Sequence, residues 1–332
     1  MLVGIVAVVA AACGGGADPP SGPARSVTGT VSTTVSPSVT VEPSKDPPTE
    51  LRVAYINLLS PVSVDANDRT ADETFDARLN LIIEELKTLN PDIIGVSEAT
   101  VTTAHGSALE KLTAGLKMEY KYLRANPWFP GQSKEQNDEL WQQIGFQEGD
   151  AIFSRYPILS WDQVWLNPRT SETEGRALLH VVIKLPDPFP QTDVFITHLT
   201  GGGERVRTQQ ATDAVAAVKR LGGAGPWIVM GDLSDAPDST TAATFAAAGM
   251  HDVAIVAAGE PGYGTCCRES VVKEQPPLTQ RYDYIFAERL VAPAVSVFGD
   301  QPKKRADGSL LYASDHNGLL AVFPLNATAT PP

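Results

Sequence analysis

From Leu51 onward, short apolar runs alternate with amphipathic stretches. Val53 and Tyr55 alternate against Arg52 and Ala54, which predicts a strand over Leu51–Asn57. Phe75, Leu79, Ile82, Ile83, Leu86 and Leu89 recur at helical spacing, so Glu73–Leu89 reads as a helix stopped by Asn90-Pro91. Asp92–Ser97 reads as a short buried strand, and Leu109, Leu112 and Leu116 mark a second helix. Further strands are expected at Ala151–Ser154, Ala177–Leu185 and Asp193–His198, then a helix over Glu204–Leu221 and a strand over Trp227–Gly231. The last strands are Tyr282–Ala287, Ala294–Phe298 and Leu319–Phe323. Helices alternate with strands early and strands dominate later. That order suggests an α+β fold of two sheets packed face to face with helices outside, although periodicity alone equally allows a doubly wound sheet.

The N-terminal segment follows a different pattern. Leu2–Ala12 is an unbroken apolar or small run ending at Cys13 and a triglycine. As a helix, Leu2–Cys13 would reach about 18 Å against a bilayer core of about 30 Å, so it is too short to span. It suits the apolar region of a signal peptide, although no Lys or Arg precedes it. Ala-Ala-Ala-Cys resembles a bacterial lipobox, which implies residues 1–13 as a lipoprotein signal ending at a lipidated Cys13. Between Gly14 and Glu50, 24 of 37 residues are Pro, Ser, Thr or Gly and none is aromatic. Such a segment buries too little apolar area to offset its ordering entropy, so residues 14–50 are expected to be a disordered tether. The folded domain is then 51–325, with a frayed tail over 326–332. The expected location is extracytoplasmic, anchored to the membrane through Cys13.

Charge narrows the choice of partners. The 332 residues carry 26 Lys+Arg against 39 Asp+Glu, a net charge of −13, and residues 51–332 alone carry 24 against 35. A broad electrostatic grip on a polyanion is disfavoured, whereas an enzyme that handles one phosphate at a time is not. Cys266 and Cys267 are adjacent. Across a trans peptide their Cα atoms would stand about 3.8 Å apart, closer than a relaxed disulfide prefers. A vicinal disulfide in an oxidising compartment and two buried thiols are the alternatives, and neither cysteine is assigned to catalysis.

Polar residues recur where the apolar runs end: Asn57, Glu98, His198, Asp232, Asp283, Asp315 and His316. One aspartate at a strand end usually caps a turn. Seven such residues suggest a site on the rim of a rigid scaffold. His105, His180 and His251 are expected to be ordinary surface or core histidines, and Arg281 to make a structural ion pair. Gly201-Gly202-Gly203 lacks the Lys-Ser/Thr of a phosphate loop and reads as a hinge.

Seven blocks occur in order: LRVAYIN (Leu51–Asn57), DIIGVSE (Asp92–Glu98), GDAIFSRYPI (Gly149–Ile158), THL (Thr197–Leu199), GDLSDAPDS (Gly231–Ser239), RYDYIF (Arg281–Phe286) and SDH (Ser314–His316). In this set the chain resembles the endonuclease/exonuclease/phosphatase superfamily. The resemblance implies a four-layer αββα sandwich and hydrolysis of a phosphoester. It implies Glu98 as main ligand of a divalent cation, with Asn57 and Asp315 completing the shell. Hard oxygen donors favour Mg²⁺, with Mn²⁺ or Ca²⁺ as substitutes. It further implies that Asp283 orients His316 and that Asp232 orients or deprotonates the attacking water. His198 would donate to a phosphate oxygen or protonate the leaving group. Two departures stand out. Ser234 occupies a position where the family usually has Asn, and Ser97 one where it often has Gln.

The motifs specify a phosphoester and leave its remainder open: a lipid headgroup, a nucleic acid or a small phosphate ester. Asn126–Phe146, with Trp128, Phe129 and Trp141, reads as a polar-aromatic insertion lining the substrate entrance. The alternative of another class is a surface lipoprotein that keeps the fold and binds a ligand without turnover, motivated by Ser234.

Overall fold

The structure is a computed structural model that describes residues 48–62, 69–128, 132–168, 175–258 and 263–325. The signal segment, Cys13, most of the tether, Phe129 and the 326–332 tail lie outside the described residues. The elements run β1 (Glu50–Asn57), α1 (Thr70–Leu89), β2 (Ile93–Thr102), β3 (Gly106–Ser107), α2 (Ala108–Leu116) and β4 (Glu119–Asn126). Next come α3 (Lys134–Ile144), β5 (Phe146–Ser154), β6 (Ile158–Trp165), β7 (Ala177–Ile183), β8 (Thr192–Thr197), α4 (Glu204–Leu221) and β9 (Trp227–Asp232). The chain continues with α5 (Thr240–Ala246), β10 (His251–Asp252), α6 (Val253–Ala258), β11 (Asp283–Glu288) and β12 (Ala294–Phe298). It ends with β13 (Lys303–Lys304), β14 (Leu310–Leu311) and β15 (Gly318–Pro324).

One sheet has the order β12-β15-β1-β2-β5-β4, with β3 paired to β2, and the other has the order β10-β11-β9-β8-β7-β6. Each contains one parallel pair, β1–β2 and β8–β9, among antiparallel neighbours. Between the sheets lies an apolar layer that includes Val53, Tyr55, Ile152, Leu179, Ile196, Met230 and Ile285. The outer face of the first sheet buries Phe75, Leu79, Ile82 and Leu86 of α1 with Leu109 and Leu112 of α2. Ala211, Ala214 and Val218 of α4 and Phe245 of α5 cover the second sheet. Three apolar layers thus separate four layers of structure, as the alternating runs predict. At Gly95 the two sheets come close: a Cβ there would stand 2.8 Å from Met230 and 3.2 Å from Ile196.

Several boundaries differ from expectation. The α1 helix starts three residues earlier, at Thr70, because polar residues extend a helix that periodicity sees only from its first apolar contact. The β2 strand runs past Ser97 to Thr102, through an irregularity between Val96 and Ala99. The insertion at 126–146 is not a plain loop. It contains α3, whose Ser133 and Gln136 form a reciprocal capping box and whose C-terminus ends at Gly145 with φ +73°. Trp128 there packs on Trp165, ring centroids 4.7 Å apart.

Candidate active site

Register brings the polar strand ends together. Asn57 and Ser97 are partners at the C-terminal ends of the parallel pair β1–β2. Antiparallel β15 enters at that same end, just after Asp315-His316, and pairs Leu319 with Tyr55. In the second sheet, β8 and β9 run parallel, β8 ending just before His198 and β9 at Asp232, while antiparallel β11 starts with Asp283 directly opposite Asp232. Packed face to face, the sheets aim all these residues at one rim.

The contacts are close. His316 Nδ1 is 2.7 Å from Asp283 Oδ2. Asp232 Oδ2 lies 3.6 Å from His198 Nε2 and 3.8 Å from His316 Nε2. Asn57 Nδ2 donates to Glu98 Oε1 at 2.9 Å and to Asp232 Oδ2 at 3.2 Å, joining both sides of the cup. Glu98 Oε2 accepts from the Ser60 N–H at 2.7 Å. Asn57 Oδ1 accepts from the Leu59 N–H at 3.0 Å. Asp315 is half-buried and its Oδ1 accepts from Ser314 Oγ at 3.1 Å.

Backbone geometry places two of these groups. Glu98 has φ +55° within the β2 irregularity, a left-handed conformation that turns its side chain out of the ladder. Ser234 has φ +50°, and its N–H donates to Asp232 Oδ1 at 2.7 Å. Its hydroxyl lies 3.2 Å from the Leu199 carbonyl and 3.3 Å from Asp232 Oδ1. Ser234 therefore holds Asp232.

Electrostatics separate the two imidazoles. Burial alone would lower the pKa of His316, but Asp283, Asp315 and Asp232 outweigh it and hold it well above the usual value. Burial, together with the positive charges of Arg176 and His316, pushes His198 well below. Near neutrality one ring is a cation and its neighbour is neutral. Burial and the Asp283 charge push Asp232 up to about 6, against the pull of His316. Glu98 is raised by burial and then by Asp315.

Sequence reasoning missed four contributors. Asp150 is buried; it bonds Ser97 and the His198 backbone N–H, and burial lifts its pKa to about 7. Glu148 is pushed up to about 7 by burial and by Glu98. The charge of Arg176 acts on His198, Glu148 and Asp150. Arg78, only 1% exposed, donates to the carbonyls of Leu58 (2.8 Å), Leu59 (3.0 Å) and Ala71 (3.1 Å), which fixes the turn after β1. Burial pulls its pKa down to about 10, while Asp315 and Glu98 favour its charge. The signal for Asp150 was a carboxylate interrupting the Gly149–Phe153 apolar block, and for Arg78 a cation on the apolar stripe of α1. Arg281 pairs with Asp252 at 2.6 Å. Buried His180 bonds Asp193 at 2.7 Å, His105 lies between Asp72 and Asp76, and His251 is half-buried. Gly203 is the N-cap of α4.

The sequence pattern of the Endonuclease/Exonuclease/phosphatase family matches residues 55–316, which span every residue of this cup. The chain belongs to that family. Its members act on phosphoesters and as a rule use a divalent metal. No curated protein matches the chain. Among solved structures, a family protein of Bacteroides thetaiotaomicron is similar at 18% identity, covering 84% of this chain and 99% of its own, with a TM-score of 0.63. A mannosyl-6-phosphatase of the same organism shows 21% identity over 82% of this chain and 98% of its own, TM-score 0.61. The human Nocturnin catalytic domain with bound sulfate shows 20% identity over 84% and 99%, TM-score 0.57. At these identities the structures show the shared fold.

The donor set fits a hard divalent cation. Asp315 raises the cost of ionising Glu98, Glu98 raises that of Glu148, and all three offer oxygen. A bound dication removes that cost. Asp232, Asp283 and His316 form a second cluster whose ligand atoms lie within 4.8 Å of one another.

Proposed function

We propose that this chain is a divalent-metal-dependent phosphoester hydrolase in which water attacks phosphorus. The observation that carries this reading is the coupled set Asp283–His316–Asp232–His198, joined through Asn57 to Glu98. Glu98 and Asp315 would hold the cation, Mg²⁺ by donor type, which when bound supplies Lewis acidity toward the phosphoryl group. Asp232, with a pKa near 6, is mostly ionised at neutral pH yet basic enough to take a proton from water. Charged His316 offers its Nε2–H to a phosphate oxygen, while Asp283 accepts from its Nδ1–H and holds the ring's orientation. Neutral His198 offers a hydrogen bond to the phosphoryl group or leaving oxygen. Its lowered pKa suits hydrogen bonding better than full proton delivery. Splitting the two rings in this way gives each a distinct role on one substrate.

The phosphoester would belong to a lipid headgroup, a nucleic acid or a small ester such as a phosphorylated sugar. Acidic net charge weighs against long nucleic acid. Extracytoplasmic anchoring through Cys13 is part of the same proposal; no described helix is long and apolar enough to cross a membrane. Metabolic labelling with a palmitate analogue, with and without Cys13→Ser, tests the anchor. The function is tested by hydrolysis of bis-(p-nitrophenyl) phosphate, p-nitrophenyl phosphate, plasmid DNA and sphingomyelin, with Mg²⁺ and with chelator. Turnover that needs Mg²⁺ and is lost in Glu98→Ala supports the hydrolase. Absence of turnover on all of them, unchanged in Glu98→Ala, would favour the non-catalytic binding module that Ser234 motivates.

A further inference from the structure

Two backbone bonds clamp the segment Thr265–Arg268 against Asp315–Asn317: Arg268 N–H to the Asp315 carbonyl at 2.9 Å and Asn317 N–H to the Thr265 carbonyl at 2.8 Å. This pairing sets Cys266 and Cys267 opposite His316, although 49 positions separate Cys267 from it. Cys267 Sγ lies 3.5 Å from His316 Nε2. The sulfurs of Cys266 and Cys267 are bonded to each other, and the peptide between them is cis, with Cα atoms 3.1 Å apart where a trans link was expected. Cys266 is 2% exposed, whereas Cys267 is exposed. The ligand atoms of Cys266, Cys267 and His316 all fall within 4.8 Å of one another.

Three features of this cluster match a thiolate–imidazole metal site. A tetrahedral zinc ion about 2.3 Å from sulfur and 2.0 Å from nitrogen separates those two atoms by about 3.5 Å, the spacing found between Cys267 and His316. Asp283 occupies Nδ1 at 2.7 Å, leaving Nε2 as the ligating atom, in the carboxylate–histidine arrangement that commonly supports a metal-bound imidazole. Soft sulfur donors beside imidazole select a borderline-soft ion over Mg²⁺.

We propose that the reduced chain binds one Zn²⁺ through Cys266, Cys267 and His316, and that the disulfide form does not. A dithiol reductant opens the Cys266–Cys267 bond. The two sulfurs take up two electrons and two protons, and the dithiol becomes a disulfide. On zinc binding both thiols lose their protons to solvent, as does His316 at Nε2. The ion then occupies the nitrogen assigned to phosphate, so zinc inhibits hydrolysis in the reduced state. That last consequence alone rests on the proposed function.

The test uses the full chain carrying Cys13→Ser, in which Cys266 and Cys267 are the remaining cysteines. After reduction with dithiothreitol and anaerobic desalting, Co²⁺ is added as a spectroscopic probe and then displaced with Zn²⁺. The expected result is one Co²⁺ per chain with a thiolate-to-cobalt charge-transfer band, abolished by one Zn²⁺ and absent from the oxidised chain. Cys267→Ser, or iodoacetamide treatment of the reduced chain should that variant fold poorly, should weaken Zn²⁺ binding at least tenfold. No band in the reduced chain, or a band that survives either modification, overturns the site. In assays with Mg²⁺, half-inhibition should need at least tenfold less Zn²⁺ for the reduced than for the oxidised chain; equal sensitivity overturns the inhibition. A cobalt band without turnover on any substrate would sink the hydrolase reading and leave the zinc site standing. Turnover without the band would do the reverse.

Discussion

Asp283→Asn removes one charge and almost no volume from the centre of the cup. Asp283 is fully buried, its Oδ2 is 2.7 Å from His316 Nδ1, and its Oδ1 has no hydrogen-bond partner among the described residues. In the variant, the amide oxygen can still accept from Nδ1, which leaves the NH₂ group at the unpartnered position. A hydrogen bond to a charged group contributes about 1.5–3 kcal/mol and a neutral one about 0.5–1.5. The imidazolium therefore loses roughly 1–2 kcal/mol of support, or on the order of one pKa unit. Because folded His316 has a raised pKa, its charged form persists through neutrality in the parent, and the variant should lose it at lower pH. The assay is kcat/KM against pH on the best p-nitrophenyl ester, alongside an NMR titration of His316. Expected are a roughly tenfold or greater fall in kcat/KM at neutral pH and a lower His316 pKa, with a smaller deficit in acid. An unchanged rate with a displaced pKa would refute the role of charged His316. An unchanged pKa would refute the electrostatic account itself.

Further outcomes can be measured directly. Burial and Asp315 raise the pKa of Glu98, so its ionised form opposes folding at neutral pH; Glu98→Gln should raise the melting temperature of the chelated protein and abolish the further rise given by Mg²⁺. That rise should correspond to about 2.7 kcal/mol at one hundred times the dissociation constant in the parent, and an equal Mg²⁺ effect in both proteins would contradict Glu98 as a ligand. Asp72 and Asp76 outweigh burial and raise the His105 pKa, so its ion-pair contribution is complete below its unfolded value near 6.5 and fades as pH rises through the folded one. The stability lost in His105→Gln, read by urea denaturation, should accordingly be larger at pH 6 than at pH 9; the opposite order would contradict the pairing. In Gly149→Ala the new Cβ would meet the Leu123 carbonyl oxygen at 1.9 Å, so a loss of about 3 kcal/mol or more is expected in the same assay.

What the sequence revealed follows from which forces act locally. The stripe of α1 and the full extent of α4 were readable because each helix buries one apolar face on one sheet. Asn57, Glu98, His198, Asp232, Asp283 and His316 stood out because a polar group at the end of an apolar strand is conspicuous. The α3 helix escaped notice because none of its described side chains is core-buried in a way that imposes helical spacing, apart from Asn137. The left-handed turns at Glu98 and Ser234 leave no mark in residue type, since neither is glycine. Cys267 looked remote from any histidine because its neighbour depends on a backbone pairing across the site. Periodicity sees burial; it does not see register.

Register also explains why this site concentrates opposed charges. Antiparallel β11 must place Asp283 opposite Asp232, and parallel β1–β2 must bring Asn57 level with Ser97 and next to Glu98. Two sheets that end at one rim therefore deliver carboxylates from both sides into a buried space, where burial and neighbouring carboxylates raise the pKa of Glu98, Glu148 and Asp232. The protein meets this repulsion with fixed cations behind the rim: Arg78 under Glu98 and Asp315, and Arg176 beside Asp150 and Glu148. Charged His316 offsets it from within. Burial first, and neighbouring carboxylates after it, nonetheless keep Glu148, Asp150 and Asp232 raised to about 7, 7 and 6. A bound dication would offset both the lost solvation and the repulsion that the fixed cations leave in place.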